Sequence, residues 1–152
     1  MRSSRENEQS SGKKQLRVFV DANTIVSGLL FDGNEVLLLK LGAIGACSLV
    51  TTRRVLDEVN QTLRAEEFQL NPDVIIKLLS YVNKCVVVHE DMPRTDLERY
   101  LARLDDKKDT HVLAVFEKLK CDVLVTGDKE LLRKVAGAKT TRRILEMLLG
   151  TS

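Results

Sequence analysis

The sequence contains few aromatic residues, an odd number of cysteines and no long apolar run. Phe, Tyr and Trp together make up 4% of the 152 residues, and the 3 cysteines are Cys47, Cys85 and Cys121. Their number argues against a disulfide framework and their spacing matches no zinc-ligand pattern, so we interpret them as small core residues in a reducing compartment. No apolar run approaches the ~20 residues of a membrane span. Because the polar start of the chain also lacks a signal-peptide core, we expect a soluble protein of the cytoplasm that does not contact membranes.

The chain also lacks a strong excess of one charge. The net charge is +2, with 30% charged and 43% hydrophobic residues. This balance does not indicate nucleic-acid binding by itself, although a basic face can coexist with an acidic pocket. Residues 1–15 contain almost nothing that could be buried. We therefore predict a disordered N-terminal tail, followed by one domain over residues 16–152.

Short apolar runs that alternate with helical segments dominate the rest of the sequence. The runs predict strands at residues 16–20, 47–50, 85–88 and 122–126, with a doubtful fifth strand near residues 138–140. Most of the intervening segments have helical periodicity, and residues 92–104 are predicted as a charged amphipathic helix or lid opened by Pro93. This alternation predicts an α/β fold, a three-layer α/β/α sandwich with a central parallel sheet of four or five strands.

Two of the predicted strands are followed closely by an acid. The first, LRVFVD, ends on Asp21, and DVLVTGD near the C-terminus ends on Asp128. In open parallel sheets, ligands bind beyond the carboxyl ends of the strands, so both acids could belong to one site. Each acid is equally well suited to cap the helix that follows it. A shared acidic site and two separate helix caps are both compatible with the sequence.

Other acids lie at or near predicted helix starts and faces. Glu58 lies on the border of the apolar face of its helix, whereas Asp57 points away. It could face a cleft or be a solvated boundary residue. Asp106 and Asp109 are spaced i, i+3, and Asp109 could also cap the helix that follows it. We interpret His111 as a packed or surface histidine more readily than as a functional one.

Together these acids form a pattern that none of them shows alone. Asp21 follows the first strand, and Glu58 lies on a mid-chain helix. Asp109 lies at a helix start before the fourth strand, and Asp128 follows that strand. These places are adjacent in a doubly wound sheet. Clustered carboxylates repel one another, and a divalent cation removes that repulsion. Carboxylate oxygens favour hard cations such as Mg²⁺ or Mn²⁺. No arrangement of Ser, Cys or His offers a covalent alternative with comparable support.

Four stretches of the sequence resemble, in the same order, the motifs of the PIN domain, the family of the toxin nucleases in bacterial and archaeal toxin–antitoxin systems. These stretches are VFVDANTIVSGLL, VLDEV, DDKKDTHVLA and CDVLVTGDKELL. The resemblance is greatest to the stand-alone branch of that family. It implies a metal-dependent endoribonuclease whose catalytic and Mg²⁺- or Mn²⁺-binding residues are Asp21, Glu58, Asp109 and Asp128, with Asp106 as an accessory metal ligand. Asn23 and Thr126 match small polar positions that hold a carboxylate or a water molecule.

The resemblance also implies a reaction and partners. One or two cations would serve in the hydrolysis of an RNA phosphodiester, leaving 5′-phosphate and 3′-hydroxyl ends. An antitoxin protein would cover the acidic cleft, and the chain would form a homodimer. Candidate phosphate contacts, each equally well explained as ordinary surface charge, are Arg53, Arg54, Lys107, Lys108, Lys129, Arg142 and Arg143.

Two other functions are weighed against the nuclease. A haloacid-dehalogenase-type phosphatase also carries an acid after its first strand, but it needs a second Asp two residues later, where this chain has Asn23. A non-catalytic PIN fold that binds RNA or protein stays open as an alternative. The complete set of four acids argues against it.

Overall fold

The structure is a computed structural model and describes residues 15–150. Of the tail predicted over residues 1–15, only Gln15 lies within the described residues, and residues 151–152 also lie outside them. None of the helices within residues 15–150 is long and apolar enough to cross a lipid bilayer.

One sheet of five parallel strands forms the middle of the molecule. The strands are β1 (Arg17–Val20), β2 (Ser48–Thr52), β3 (Val86–His89), β4 (Val123–Val125) and β5 (Ala138–Lys139), in the order β3-β2-β1-β4-β5. The central residues of β1, including Phe19, are fully buried, and Phe19 pairs in register with Val50 on one side and Leu124 on the other. Because the chain runs outward from β1 first to one side and then to the other, the switch in direction lies between β1 and β4. A crevice forms at such a point, beyond the carboxyl ends of the strands.

Eight α-helices within the described residues cover the sheet. They are α1 (Ala22–Leu30), α2 (Asn34–Ala43), α3 (Arg53–Leu63), α4 (Pro72–Cys85), α5 (Arg94–Leu97), α6 (Thr110–Lys118), α7 (Lys129–Lys134) and α8 (Thr141–Leu149). Helix α2 packs against α1, α4 and α8, whereas α6 packs against α5 and the adjoining 3-10 turns. The predicted three-layer α/β/α sandwich with a parallel sheet is confirmed.

The fifth strand, doubtful in the sequence, is present but short. Residues Ala138–Lys139 pair with β4, and backbone hydrogen bonds run from Leu124 N to Gly137 O at 2.9 Å and from Thr126 N to Lys139 O at 3.0 Å. Two residues are too few to show the alternation or the apolar run that marks a strand in a sequence. The strand therefore exists because β4 offers it an edge.

The helix predicted over residues 92–104 is not continuous. Pro93 precedes α5 as expected, but the chain then continues as a 3-10 helix over Glu98–Arg103. In this stretch only Met92 and Leu104, at its two ends, are buried. A short helix gains most of its stability from a buried face, so a segment without one has little to hold it in regular α-helical form.

Gly42 lets α2 lie close to the sheet. A Cβ atom at this position would stand 2.5 Å from Cδ1 of Leu49 in β2 and 2.6 Å from the carbonyl oxygen of Cys85 at the end of α4. The sequence shows this glycine only as a residue that weakens the helix. The structure shows that the absence of a side chain is what the packing of three elements requires.

Candidate active site

The two strand-end acids lie at the same edge of the sheet. Asp21 directly follows β1, Asp128 follows β4 after Thr126 and Gly127, and β1 and β4 are neighbours with Val20 opposite Val125. The pKa of Asp21 is raised, first by burial and to a smaller extent by the charge of Asp128. The two carboxylates are therefore close enough to repel each other in the crevice between β1 and β4.

Both acids also cap helices, as one of the two interpretations of the sequence expects. Oδ1 of Asp21 accepts a hydrogen bond from Thr24 N at 2.9 Å, and Oδ1 of Asp128 accepts one from Leu131 N at 2.9 Å. Each bond involves only one of the two carboxylate oxygens. These bonds fix the acids at the starts of α1 and α7.

Two buried threonines lie near Asp21. The side chains of Thr24 and Thr126 oppose the rise of the Asp21 pKa. Thr126 is 2% exposed, and its Oγ1 accepts a hydrogen bond from Asp128 N at 3.0 Å. Thr126 is thus near both strand-end acids.

Asp109 lies at the centre of the acidic cluster. It occupies the N-cap position of α6, but its side chain makes no capping hydrogen bond. Its pKa is raised to about 6, first by burial and then by the charges of Asp128, Asp106, Asp21 and Glu58. The Asp109 carboxylate therefore makes no capping hydrogen bond and lies within electrostatic range of four other carboxylates.

Glu58 approaches the cluster from α3. The buried residues of this helix are Val55, Leu56, Val59 and Leu63, which places Glu58 at the border of the apolar face, with its side chain 41% exposed. Burial raises the pKa of Glu58 first, and the charges of Asp21 and Asp91 add to this, whereas Arg54 opposes it. Glu58 is therefore within electrostatic range of Asp21 and Asp109, and these two acids are within range of Asp128.

Asp106 lies at the exposed rim of this cluster. Its Oδ1 accepts a hydrogen bond from Lys108 N at 3.0 Å and caps the 3-10 turn Lys107–Asp109. Its charge contributes to the raised pKa of Asp109. All seven basic candidates for phosphate contact are exposed. Among them, Lys107 donates to backbone carbonyls of its own loop and Arg143 lies 3.8 Å from Glu146, so these two are engaged within the fold.

His111, for which the sequence favours a packed or surface position, lies directly behind Glu58. It is 3% exposed, and its Nε2 lies 3.5 Å from Oε2 of Glu58. Burial lowers the pKa of His111 to about 4, so the imidazole is neutral at physiological pH. Its buried Nδ1 has no hydrogen-bond partner among the described residues.

Asp91 is an acid that the sequence analysis missed. Its Oδ2 accepts a hydrogen bond from Arg54 N at 2.8 Å in the first turn of α3, and its buried Oδ1 has no partner among the described residues. Its charge also acts on Glu58 and His111. Asp91 follows β3 by two residues, so the strand-end rule that identified Asp21 and Asp128 could have identified it as well.

The donor set suits a hard divalent cation. Among residues 15–150, no three His, Cys, Asp or Glu side chains are drawn close enough together to ligate one ion as they stand. The carboxylates nevertheless share one crevice, and burial together with mutual repulsion raises the pKa of three of them. A cation with oxygen ligands relieves that repulsion, so the residues present fit Mg²⁺ or Mn²⁺.

The chain is similar to known proteins of one family. The family model for the PIN domain matches residues 17–130. The crystal structure of PAE2754 from Pyrobaculum aerophilum superimposes with a TM-score of 0.66 at 25% sequence identity, over 90% of this chain and 97% of that one. No curated protein matches the chain. PIN domains act on nucleic acids and are generally metal-dependent nucleases. From the match over most of its length, the chain belongs to the PIN-domain family.

Proposed function

We propose that this protein is an Mg²⁺- or Mn²⁺-dependent endoribonuclease that hydrolyses RNA phosphodiester bonds. The observation that carries the proposal is the position of Asp109, which does not cap its helix and whose pKa is raised to about 6 by burial and by four surrounding carboxylates. Such a concentration of charge in a crevice disfavours the fold unless it serves a ligand. A divalent cation is the ligand that carboxylates of this kind bind.

Asp21, Glu58, Asp109 and Asp128 would hold one or two cations, with Asp106 as an accessory at the rim. A bound cation supplies an activated water and stabilises charge on the leaving oxygen. The side chains of Thr24 and Thr126 favour the ionised form of Asp21, and the cap bonds to α1 and α7 fix Asp21 and Asp128 at the sheet edge. These residues therefore set the acids in place before substrate arrives.

Two neighbouring residues, His111 and Asp91, help to position Glu58. His111 lies behind its carboxylate, and Asp91 ties the loop after β3 to the first turn of α3, the helix that carries Glu58. Exposed basic residues near the crevice, among them Arg53, Lys108 and Lys129, would contact phosphates of the RNA.

The direct test is cleavage of a mixed panel of transfer, ribosomal and single-stranded RNA with Mn²⁺, with Mg²⁺ and with EDTA. The wild type should cleave only with metal, and Asp109→Asn and Asp128→Asn should lose most of this activity. The matched control is Asp57→Asn, since Asp57 is an exposed acid on α3 beside Glu58. Activity that is unchanged in the cluster variants would come from a contaminant and would contradict the proposal.

Two further assays define the reaction. Cleavage of a circular RNA requires an endonuclease, since it offers no ends. Labelling of the products with polynucleotide kinase and with RNA ligase should then show 5′-phosphate and 3′-hydroxyl ends. Resistance of the circular RNA under conditions where linear RNA is degraded would make the enzyme an exonuclease.

The proposal extends to a toxin of a toxin–antitoxin system, active in the cytoplasm as a homodimer and restrained by an antitoxin protein. It is supported by the resemblance of the four motifs to toxin nucleases, and the three free cysteines suit a reducing compartment. Expression of the wild type in bacteria should arrest growth, and Asp109→Asn should not. Light scattering measures the oligomeric state, and a monomer at micromolar concentration would remove the dimer from the proposal.

A further inference from the structure

A polar pocket lies beside the acidic cluster, on the side of β4 and α8. Its volume is about 330 Å³, within the range of small-molecule sites. Asn23 and Thr24 follow Asp21 in the chain, and Thr126 and Gly127 precede Asp128, so the pocket opens next to both acids. The ten lining residues are Asn23, Thr24, Ser27, Asn34, Glu35, Thr126, Gly127, Thr140, Thr141 and Arg142.

Part of this lining is already engaged in the fold, and part of it is available. Oγ1 of Thr126 accepts a hydrogen bond from Asp128 N, and Oγ1 of Thr140 accepts one from Arg143 N at 3.2 Å. The side chain of Thr24 opposes the rise of the Asp21 pKa. The side chains that make no hydrogen bond to another described residue include the neutral Asn23, Ser27, Asn34 and Thr141 and the charged Glu35 and Arg142.

Thr141 is the most enclosed of these residues. It is 7% exposed at the first position of α8, and its hydroxyl, which makes no hydrogen bond to another residue within 15–150, lines the open pocket. A ligand in the pocket can therefore bond with this hydroxyl without displacing a contact of the fold. Gly127 adds to the open space, because a Cβ atom there would meet nothing within 4 Å.

The charge of the lining shows whether a phosphate or the neutral part of a nucleotide fits the pocket better. A phosphate site collects several cations, but here Arg142 is accompanied by Glu35 and every other lining residue is neutral. Amide side chains pair with the edges of bases, and hydroxyls pair with the 2′-hydroxyl of ribose. The lining therefore favours the neutral part of a nucleotide over its phosphate.

We propose that this pocket binds the base and ribose of one nucleotide next to the phosphodiester that the acidic cluster hydrolyses. It thereby selects the position of cleavage. This inference rests on the proposed ribonuclease function. Asn34 and Ser27, on different helices, are the residues that read the base, and Thr141 contacts the ribose. The base must leave its stack and its pairing partner to enter, so cleavage takes place at an unpaired nucleotide.

The first experiment maps cleavage sites in a randomised single-stranded RNA by sequencing the products. The wild type should prefer one nucleotide at a fixed distance from the cut by about tenfold or more. Ser27→Leu and Asn34→Leu fill the pocket and remove its donors, and Thr141→Val removes only a hydroxyl. Each variant should reduce the preference to less than about threefold while cleavage continues.

The controls repeat the same substitutions outside the pocket. Ser80→Leu and Asn83→Leu lie on the exposed face of α4 and should keep the wild-type preference. Thermal unfolding of every variant shows whether it is folded. A preference that persists in all three folded pocket variants would overturn the inference and leave the ribonuclease in place.

The second experiment does not depend on activity. Adenosine, guanosine, cytidine, uridine and inorganic phosphate are each titrated into ¹⁵N-labelled full-length protein with EDTA, and the side-chain amide signals of Asn23 and Asn34 are followed by NMR. At least one nucleoside should shift these signals in the wild type, and the shift of Asn23 should be lost in Ser27→Leu. A response to phosphate alone, or to no probe, would contradict the nucleoside site even if the protein cleaves RNA. A response to a nucleoside in a protein that cleaves no RNA would instead contradict the proposed function.

Discussion

Asp109→Asn should stabilise the metal-free protein and weaken its response to metal. In the wild type, burial and four neighbouring carboxylates raise the pKa of Asp109 from 3.8 to about 6, so its ionised form is disfavoured in the folded state. Asparagine removes this charge. No helix cap is lost, because the Asp109 side chain makes no capping hydrogen bond.

The magnitude follows from the pKa shift. A rise from 3.8 to about 6 corresponds to about 3 kcal/mol for a fully buried group. Because Asp109 is only half-buried, solvent screening reduces this to about 1–2 kcal/mol. For a domain of this size, the variant should melt roughly 3–8 °C above the wild type in EDTA at pH 7.5.

The pH dependence of stability is a second test of whether Asp109→Asn stabilises the metal-free protein. Between pH 3.8 and about 6 the folded protein binds more protons at Asp109 than the unfolded chain does, so the contribution of Asp109 to stability falls as pH rises through this window. The advantage of Asp109→Asn should therefore be complete above about pH 6.5 and about half as large at pH 5. Comparing variant with wild type at each pH subtracts the titration of other groups.

Metal should reverse the order of the two proteins. Mn²⁺ at about 100 times its Kd stabilises the wild type by about 2.7 kcal/mol, and Asp109→Asn should show a much smaller shift. The assay is thermal and urea unfolding with EDTA and with Mn²⁺, with Asp57→Asn as the control. An Asp109→Asn protein no more stable than the wild type in EDTA, with an equal response to Mn²⁺, would refute the placement of Asp109 among the acids.

Three further substitutions test the surrounding structure by urea unfolding. Gly42→Ala should destabilise the protein by about 1–3 kcal/mol, because its Cβ would stand 2.5 Å from Leu49 Cδ1. Helix propensity alone predicts a gain of about 1 kcal/mol, so the sign of the stability change shows whether the steric clash or the propensity dominates. Asp91→Ala should cost about 0.5–2 kcal/mol, because it leaves Arg54 N without its acceptor, while Glu90→Ala, at the exposed neighbouring residue, should change little. His111→Leu should reduce the loss of stability on acidification. The pKa of His111 is lowered from 6.5 to about 4, so protonation favours the unfolded wild type as pH falls through that window. An unchanged pH profile of stability would contradict the burial of a neutral imidazole.

Much of the fold could be predicted from local sequence. Apolar runs marked four strands. At the start of α4, Asn71 accepts a hydrogen bond from Asp73 N at 2.8 Å, and a cap residue followed by Pro72 is itself a local pattern. The pairing of β5 and the break after α5 could not be predicted. Both depend on what the rest of the chain offers to these segments, an open edge in one case and no buried face in the other.

The sequence by itself determined which acids stand at strand ends and helix starts, because strand and helix periodicity are properties of neighbouring residues. It therefore identified Asp21, Asp109 and Asp128 as candidates, although not whether they meet. Only the tertiary structure decided that, since the strand order places β1 beside β4. The structure alone also left Asp109 without a capping bond, placed His111 against Glu58, brought Asp91 within range of the Glu58 charge, and formed the polar pocket. Distance, burial and charge repulsion between residues far apart in the chain exist only once the chain is folded, and these are the quantities that define a site.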